Sequence, residues 1–476
     1  MDENSVAGLR AGFSGELILP GDPRYDAARE VFNAMIVRRP ALIARCADTA
    51  DVVRAVSFGR AQQLEVAVRC GGHSVAGLGV GDGVVVDLSG LKRIEVDPEA
   101  RVARVGGGAL WGEFDQAAQV YGLHCPGGRV TTTGVGGFTT GGGYGWTSSK
   151  YGLACDNLLS AEVVTADGRV RTASETENAD LFWAIRGGGG NFGVVTRFDF
   201  RLHPIGPIVL AGIALWPLQR MPEVLRAWRD YVDDAPDELS TAVVVMTAPP
   251  EPFVPDHLKG RAVFAVAVLY VGEPEEGAEA VRPLRALSPA VDLIQPMPYV
   301  AFQALLDPTA PRGKRSYWRG EYMAALGDAA IDVFVRHAPR LTAVGFPLSQ
   351  AIVFRIGQGV AALPDEATAF SHRGARYLFH PISMWESPDD DAMVIRENRA
   401  FADAMRPFGT GGAYLNFTPE TDRIRDAFGD AKVARLVAVK DAYDPDNLFH
   451  RNQNIAPSPR PSRDLREAGT RVRAAP

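Results

Sequence analysis

The apolar and polar positions of this chain follow two regimes. Up to about Pro204 the apolar runs are short, and strand and helix patterns alternate. Leu64 to Val68 places Val66 and Val68 on one face of a strand, and Val84 to Leu88 and Val102 to Val105 are two more. Val52, Ala55 and Val56 recur at helical spacing behind Asp48 and Thr49, either of which can cap a helix running to about Gln63. Helical patterns also cover Ala27 to Val37, Trp111 to Tyr121 and Asp180 to Ile185. Leu159 to Thr165 and Val170 to Ala173, joined through Ala166-Asp167-Gly168, predict a hairpin. From Val194 to Arg201 the alternation is clean, with Val194, Thr196, Phe198 and Phe200 on one side.

After about Gly206 the runs lengthen. Strands are predicted at Ile208 to Leu215, Thr241 to Thr247, Ala262 to Tyr270, Ser349 to Ile356 and Ala375 to Phe379. Helices are predicted around Val224 to Val232, Glu276 to Leu287 and Ile331 to Leu341. The pattern is that of an α+β protein in which a mixed α/β region precedes a sheet crossed by helices. Residues 456–476 hold Pro, Ser and Arg without apolar periodicity, which predicts a disordered tail.

Glycine interrupts the first regime at three places. Arg69-Cys70-Gly71-Gly72-His73-Ser74, reaching Gly77, follows a strand and presents a histidine on a turn. Consecutive N–H groups in such turns can hold an anion. The second spans Gly106 to Gly145, and its part from Thr131 on mixes glycine with Val135, Phe138, Tyr144 and the following Trp146, unlike the Gly/Ser tracts of flexible linkers. Arg186 to Gly193 is the third. None ends in Gly-Lys-Ser/Thr, and none is a G-x-G-x-x-G between strand and helix with an acid about 20 residues on, so neither a P-loop nor a Rossmann site is supported.

Composition narrows the reading. The chain has 476 residues, 46% of them hydrophobic, enough for two domains or more. A net charge of −7 argues against a nucleic-acid partner. No run is long enough to span a membrane, and Met1 to Pro20 lacks an apolar secretory core. Four cysteines, Cys46, Cys70, Cys125 and Cys155, are too sparse for a disulfide framework and lack metal spacing, which fits a reduced, cytoplasmic setting without a metal.

Taken together, these stretches resemble the berberine bridge enzyme-like FAD-linked oxidases of the vanillyl-alcohol oxidase and p-cresol methylhydroxylase superfamily. The likeness rests on Arg69 to Ser74, Thr133 to Gly145, Tyr151 to Asn157, Arg186 to Gly193, and the closing Tyr443 to Phe449 with Asn452 to Ile455. It implies a lead-in (1–37), an FAD-binding domain (38–205), a substrate domain with a large antiparallel sheet (206–417), a segment returning to the FAD domain (418–456), and the tail (457–476). It implies FAD joined through His73 to the flavin 8α position. Arg69, Cys70, Gly71, Gly72, Ser74 and Gly77 surround that anchor. Thr133, Gly134, Gly136, Gly137, Gly141, Gly142, Gly143, Tyr144 and Gly145 line the cofactor, as do Cys155, Asp156, Asn157, Gly190, Asn191, Phe192, Gly193, Val194, Asn452 and Gln453. The second, cysteinyl link of many relatives would fall at Val130; Cys125 lies five residues away, so a single bond is expected. Thr133 occupies the position at which the family controls oxygen access.

For the substrate, Tyr414 and Asn416 are the expected catalytic pair, placed by alternation on one strand face. As a base at neutral pH, Tyr414 needs a nearby cation. His372 and His380 are further candidates to face the flavin, and Arg312 to Trp318 is a candidate for the pocket mouth. The resemblance implies an oxidase acting on an alcohol, sugar or amine with O2 as acceptor, in a monomer or homodimer. The alternatives are an oxygenating or cyclising flavoenzyme and a flavin carrier without turnover.

Overall fold

The computed structural model describes residues 3–342 and 346–459. Its first sheet forms because Leu42–Arg45, Val66–Arg69 and Val84–Asp87 are apolar enough to be covered on both faces; the pairs between them are parallel. The order runs Glu16–Ile18, Leu42–Arg45, Val84–Asp87, Val66–Arg69, so the N-terminal segment contributes the edge strand. The helix Thr49–Ala61 begins where the sequence placed it, with the Asp48 carboxylate accepting from Asp51 N–H. Asp51 in turn accepts from Ser14 and Gly15 N–H and ties the N-terminal segment down.

A second sheet, antiparallel throughout, runs Ile94–Asp97, Val102–Gly106, Val194–Arg201, Leu158–Val164, Val170–Ser174. Phe198 and Phe200 on its central strand are fully buried with Trp111 and Phe114 of the helix Trp111–Gln119.

The third sheet has nine strands, all antiparallel, and takes its long strands from residues 208–385. Ile208–Pro217, Leu239–Thr247, Ala262–Tyr270, Gln350–Arg355 and Tyr377–Trp385 fall on the predicted runs. Alternation sorts its side chains. Ala351, Val353 and Phe379 pack under the helices Met221–Val232, Asp328–Leu341 and Asp391–Met405, beside Trp228, Phe334 and Phe401. Gln350, Ile352, Phe354, His380, Ile382 and Met384 point the other way and line a cavity.

After the sheet, Ile424–Tyr443 carries the chain back onto the second sheet's core, where Leu436 and Val439 meet Phe182 and Trp183. Lys440, fully buried, donates to Asn191 O and pairs with Asp444 at 2.7 Å; Asp444 also accepts from Leu448 and Phe449 N–H. A buried pair of this kind is strongly destabilising to break from one side.

Two local expectations need correction, and one element goes unpredicted. The helical pattern at Ala27 to Val37 yields only Tyr25–Arg29, because Tyr25, Ala28, Val31 and Phe32 are buried by an irregular segment instead. The glycine stretch contains a short helix, Val135–Thr140, that glycine's low helix propensity concealed. Tyr414 and Asn416 do not share a strand face: Leu415–Phe417 is a single 3-10 turn. Of the predicted tail, residues 460–476 lie outside the described residues. Among the described residues no helix is long and apolar enough to cross a membrane.

Candidate active site

A cavity of about 330 Å³ lies where the three glycine stretches meet the exposed face of the third sheet. Two of those stretches are pressed backbone to backbone. A Cβ on Gly134 would stand 2.4 Å from Gly71 N, and one on Gly71 would stand 2.5 Å from Gly134 N. Gly72 and Gly189 take φ of +67° and +76°, turning the chain into the cavity where a side chain would be strained. Gly137 differs: a Cβ there would meet nothing within 4 Å, so the space it leaves belongs to the cavity.

His73 sits at the rim of the first turn. Its ring stacks on Phe32 at 4.3 Å, and Nε2 is hydrogen-bonded to Thr132 Oγ1 at 2.8 Å. Burial, followed by the charge of Arg312, lowers its pKa to about 3, so the ring is neutral. Arg69 anchors the same turn through a 2.8 Å ion pair with buried Asp87. Cys70 donates to Ala109 O, and burial raises its thiol to about 11, which leaves it protonated.

The polar end of the cavity carries Asn452 and Gln453. Both side-chain amide atoms of Gln453 are buried without a hydrogen-bond partner. An amide held unpaired beside a cradle of glycine backbone is a donor and acceptor awaiting a polar ligand. The residues therefore fit a long ligand with a phosphate-bearing part over glycine N–H groups and a flat part reaching His73. FAD has those parts. Arg69, Cys70, Gly71, Gly72, Ser74, Thr133, Gly134, Gly136, Gly137, Gly141, Tyr144, Gly190, Gly193, Asn452 and Gln453 all line the cavity with His73.

Other expected cofactor contacts stand behind the wall. Asp156 forms a 2.6 Å pair with Arg373, Cys155 is buried beside it, and Asn157 donates to Tyr151 O and Leu153 O. Asn191 bridges Gly188 O, Gln453 O and Ile455 N–H, holding the third glycine stretch against the C-terminal segment. Phe192 and Val194 are core, and Gly77, Gly142, Gly143 and Gly145 shape turns without lining the cavity. Cys125 is buried in the core of the second sheet, whereas Val130 does line the cavity.

At the opposite end the wall is Trp318, Ile352, Phe354, Ile382, Met384, Leu415 and Phe417, with Gln350, Asn416 and His380 as its polar members. Tyr414 is not among them. Its hydroxyl accepts from Gly143 and Tyr144 N–H and from the Asn416 amide, at 3.1–3.2 Å. Burial raises its pKa, against the lowering effect of those donors and of Arg129, so it remains a phenol. The cation that a tyrosine base needs is present, but burial outweighs it.

His380 is the titratable group that the sheet presents to the cavity. Its Nδ1 lies 2.6 Å from Arg319 O, and a carbonyl only accepts, so the proton is on Nδ1. Nε2 is then an acceptor, and it has no hydrogen-bond partner among the described residues. Burial lowers the ring's pKa to about 3. Phe417 stacks on it at 3.9 Å and Trp318 meets its edge. His372, by contrast, is hydrogen-bonded to Asp426 O and stacked on Tyr322 outside this cavity. Trp318, the end of the stretch expected at the pocket mouth, does line the cavity; sequence reasoning missed Thr132, Arg129, Gln350, Ile352, Phe354, Ile382 and Met384. The alternation at 350, 352 and 354 was a signal for three of them; Arg129 and Thr132 gave none.

Comparison with known proteins agrees with this geometry. Residues 40–174 match the FAD binding domain family, and residues 413–456 match the family described as berberine and berberine like. An FAD-linked oxidoreductase of Dictyostelium discoideum is 31% identical over 435 residues, covering 90% of this chain and 91% of that one. The (R)-6-hydroxynicotine oxidase of Paenarthrobacter nicotinovorans is 30% identical, over 93% of this chain and 97% of its own. The crystal structure of 6-hydroxy-D-nicotine oxidase from Arthrobacter nicotinovorans superposes with a TM-score of 0.84 at 28% identity, covering 94% of this chain and 99% of that one. The cavity, its glycine cradle and these likenesses converge: the chain belongs to the berberine bridge enzyme-like family of FAD-linked oxidoreductases.

Proposed function

We propose that the protein is an FAD-dependent oxidase that takes hydride from a C–H next to oxygen or nitrogen, in an alcohol, sugar or amine, and holds its cofactor by one covalent bond through His73. The observation that carries this is the convergence on one cavity of a half-buried neutral histidine, three glycine stretches and a separate apolar wall. When bound, FAD supplies the two-electron acceptor and returns its electrons to O2 as H2O2.

The protein's own residues do the rest. In the tautomer whose Nε2–H donates to Thr132 Oγ1, the His73 lone pair lies on Nδ1, which has no hydrogen-bond partner among the described residues. Val130 at the position of the relatives' second link and the core position of Cys125 support a single anchor at His73. Thr133 is a small side chain on the cavity wall, compatible with oxygen access. The substrate's O–H or N–H donates to His380 Nε2, and its proton passes there as hydride leaves the adjacent carbon, so the product is a carbonyl or imine. Asn416, held by Phe138 O and Tyr414, is the second polar contact at that end. The apolar wall excludes water from the reacting carbon.

The test is an intact mass of denatured protein beside the spectrum of the native form. Wild type should gain the mass of one FAD, and His73→Ala should not. A gain that persists in the variant ends the single-anchor reading. A colourless protein that FAD does not reconstitute ends the functional one. With a turned-over substrate, H2O2 should appear in proportion to product.

A further inference from the structure

The cavity contains a cation that the oxidase reading leaves without work. Arg129 lines it with its side chain partly buried, and desolvation lowers its pKa only to about 10, so it stays charged. Its Nη1 donates to Tyr144 O at 3.1 Å and Nη2 to Gly145 O at 3.2 Å. The guanidinium lies 4.5, 5.0 and 4.1 Å from the rings of Tyr144, Trp146 and Phe354. Rings and carbonyls orient it, but none carries a negative charge. The side chains that favour its charged form are two tyrosines, Tyr144 and Tyr414, both protonated because burial raises them.

The buried arginines nearby are treated differently. Arg69 meets Asp87, Arg319 meets Glu321 and Glu420, and Arg373 meets Asp156. Among the described residues that line the cavity there is no Asp or Glu at all. An uncompensated buried cation is unfavourable, and proteins pair such charges unless a ligand does so. A guanidinium has five N–H donors. The two carbonyls take two, and Nε is buried with no partner. Its planar fork matches a carboxylate. The neighbouring wall of Leu306, Ile352, Phe354, Ile382 and Met384 suits an apolar body, not a polyhydroxylated one.

We propose that the substrate carries an anionic group, a carboxylate on an aromatic or aliphatic body, and that Arg129 is the residue that binds it. This rests on the reading of the cavity's sheet end as the substrate site and narrows it. The same geometry disfavours cationic amines, which would meet Arg129 and no carboxylate.

The test uses FAD-loaded protein and two probes of one shape, benzoate and benzamide, titrated by calorimetry at neutral pH and low salt. Wild type should bind benzoate at least about tenfold more tightly than benzamide, within the range expected of a charge-assisted contact. Arg129→Met should remove that preference while leaving benzamide within about twofold. Arg129→Lys, which keeps the charge without the fork, should retain part of it. Equal binding of the two probes by wild type, binding of neither, or a preference that survives in Arg129→Met overturns the proposal. So does a fall in flavin reduction potential in Arg129→Met with no change in probe preference, which assigns the charge to the cofactor. If Arg129→Met does not fold, the wild-type comparison and Arg129→Lys still decide. Calorimetry reads the charge preference whether or not the protein is yellow. A colourless protein therefore counts against the cofactor, and indifference to charge counts against Arg129.

Discussion

The two ends of the cavity are built from different materials. The cofactor end is mostly backbone: Gly71 and Gly134 touch through main-chain atoms, and the space over Gly137 is open because no side chain fills it. The end we assign to the substrate is side chain: alternate residues of two strands, Gln350–Arg355 and Tyr377–Trp385, lean over a cavity that the glycine turns floor. A backbone cradle tolerates almost no change, because any Cβ meets either another backbone or the ligand. A wall of side chains on a sheet can change its contents without moving a strand. The first suits a cofactor shared by many enzymes, the second a substrate peculiar to one.

The largest effect that would test this contrast comes from Gly137→Ala. The residue sits in the helix Val135–Thr140, where Ala is favoured over Gly by about 0.5–1 kcal/mol, and the added methyl meets no protein atom. Placed in the His73→Ala background, which cannot form the covalent bond, the change should leave the FAD-free protein melting no earlier, yet weaken FAD binding at least about tenfold, since a methyl intrudes on space that only backbone now borders. Undiminished FAD binding in the well-folded double variant would show that the cradle does not work by close approach.

The next effect belongs to the sheet end. His380→Phe keeps a ring against Phe417 and removes the acceptor at Nε2. Anaerobic reduction of the bound flavin should slow by about 10²-fold, within the usual span for a lost general base, with FAD content unchanged. A rate within about threefold of wild type would take the proton away from His380.

The contrast also explains what could be read in advance. The glycine stretches were legible because a backbone cradle writes itself into sequence: Gly71-Gly72 before His73 and Gly187 to Gly190 have few other uses in such ordered surroundings. The long strands were legible through alternation and β-branched content, as at Ala262–Tyr270. The substrate wall was not. Its members are single residues about 30 positions apart, Phe354 on one strand and Ile382 on the next, joined by a register that only the folded sheet fixes. The pairing of Asp156 was hidden for a related reason: it stands beside the glycine stretches in sequence, but its partner Arg373 comes from a loop more than 200 residues on. Tyr414 misled because two alternating residues look alike in a strand and in a 3-10 turn, and only the turn aims the hydroxyl at the backbone of Gly143 and Tyr144.

That last residue gives the smallest expected effect and a direct comparison with His380. Tyr414→Phe leaves the buried N–H groups of Gly143 and Tyr144 without their acceptor and removes one of the two hydrogen bonds of the Asn416 amide. The loss should appear as stability, about 1–3 kcal/mol for buried donors left unpaired. It should also loosen the turn that carries Tyr144, and with it one carbonyl that orients Arg129. Flavin reduction at saturating substrate should change by less than about tenfold, because the phenol does not line the cavity. Denaturant titration and anaerobic reduction on the same preparation separate the two. A large fall in stability with a small fall in rate makes Tyr414 the fastener between the backbone end and the side-chain end. Unchanged stability with a rate lost by more than about tenfold would return it to the chemistry and displace His380.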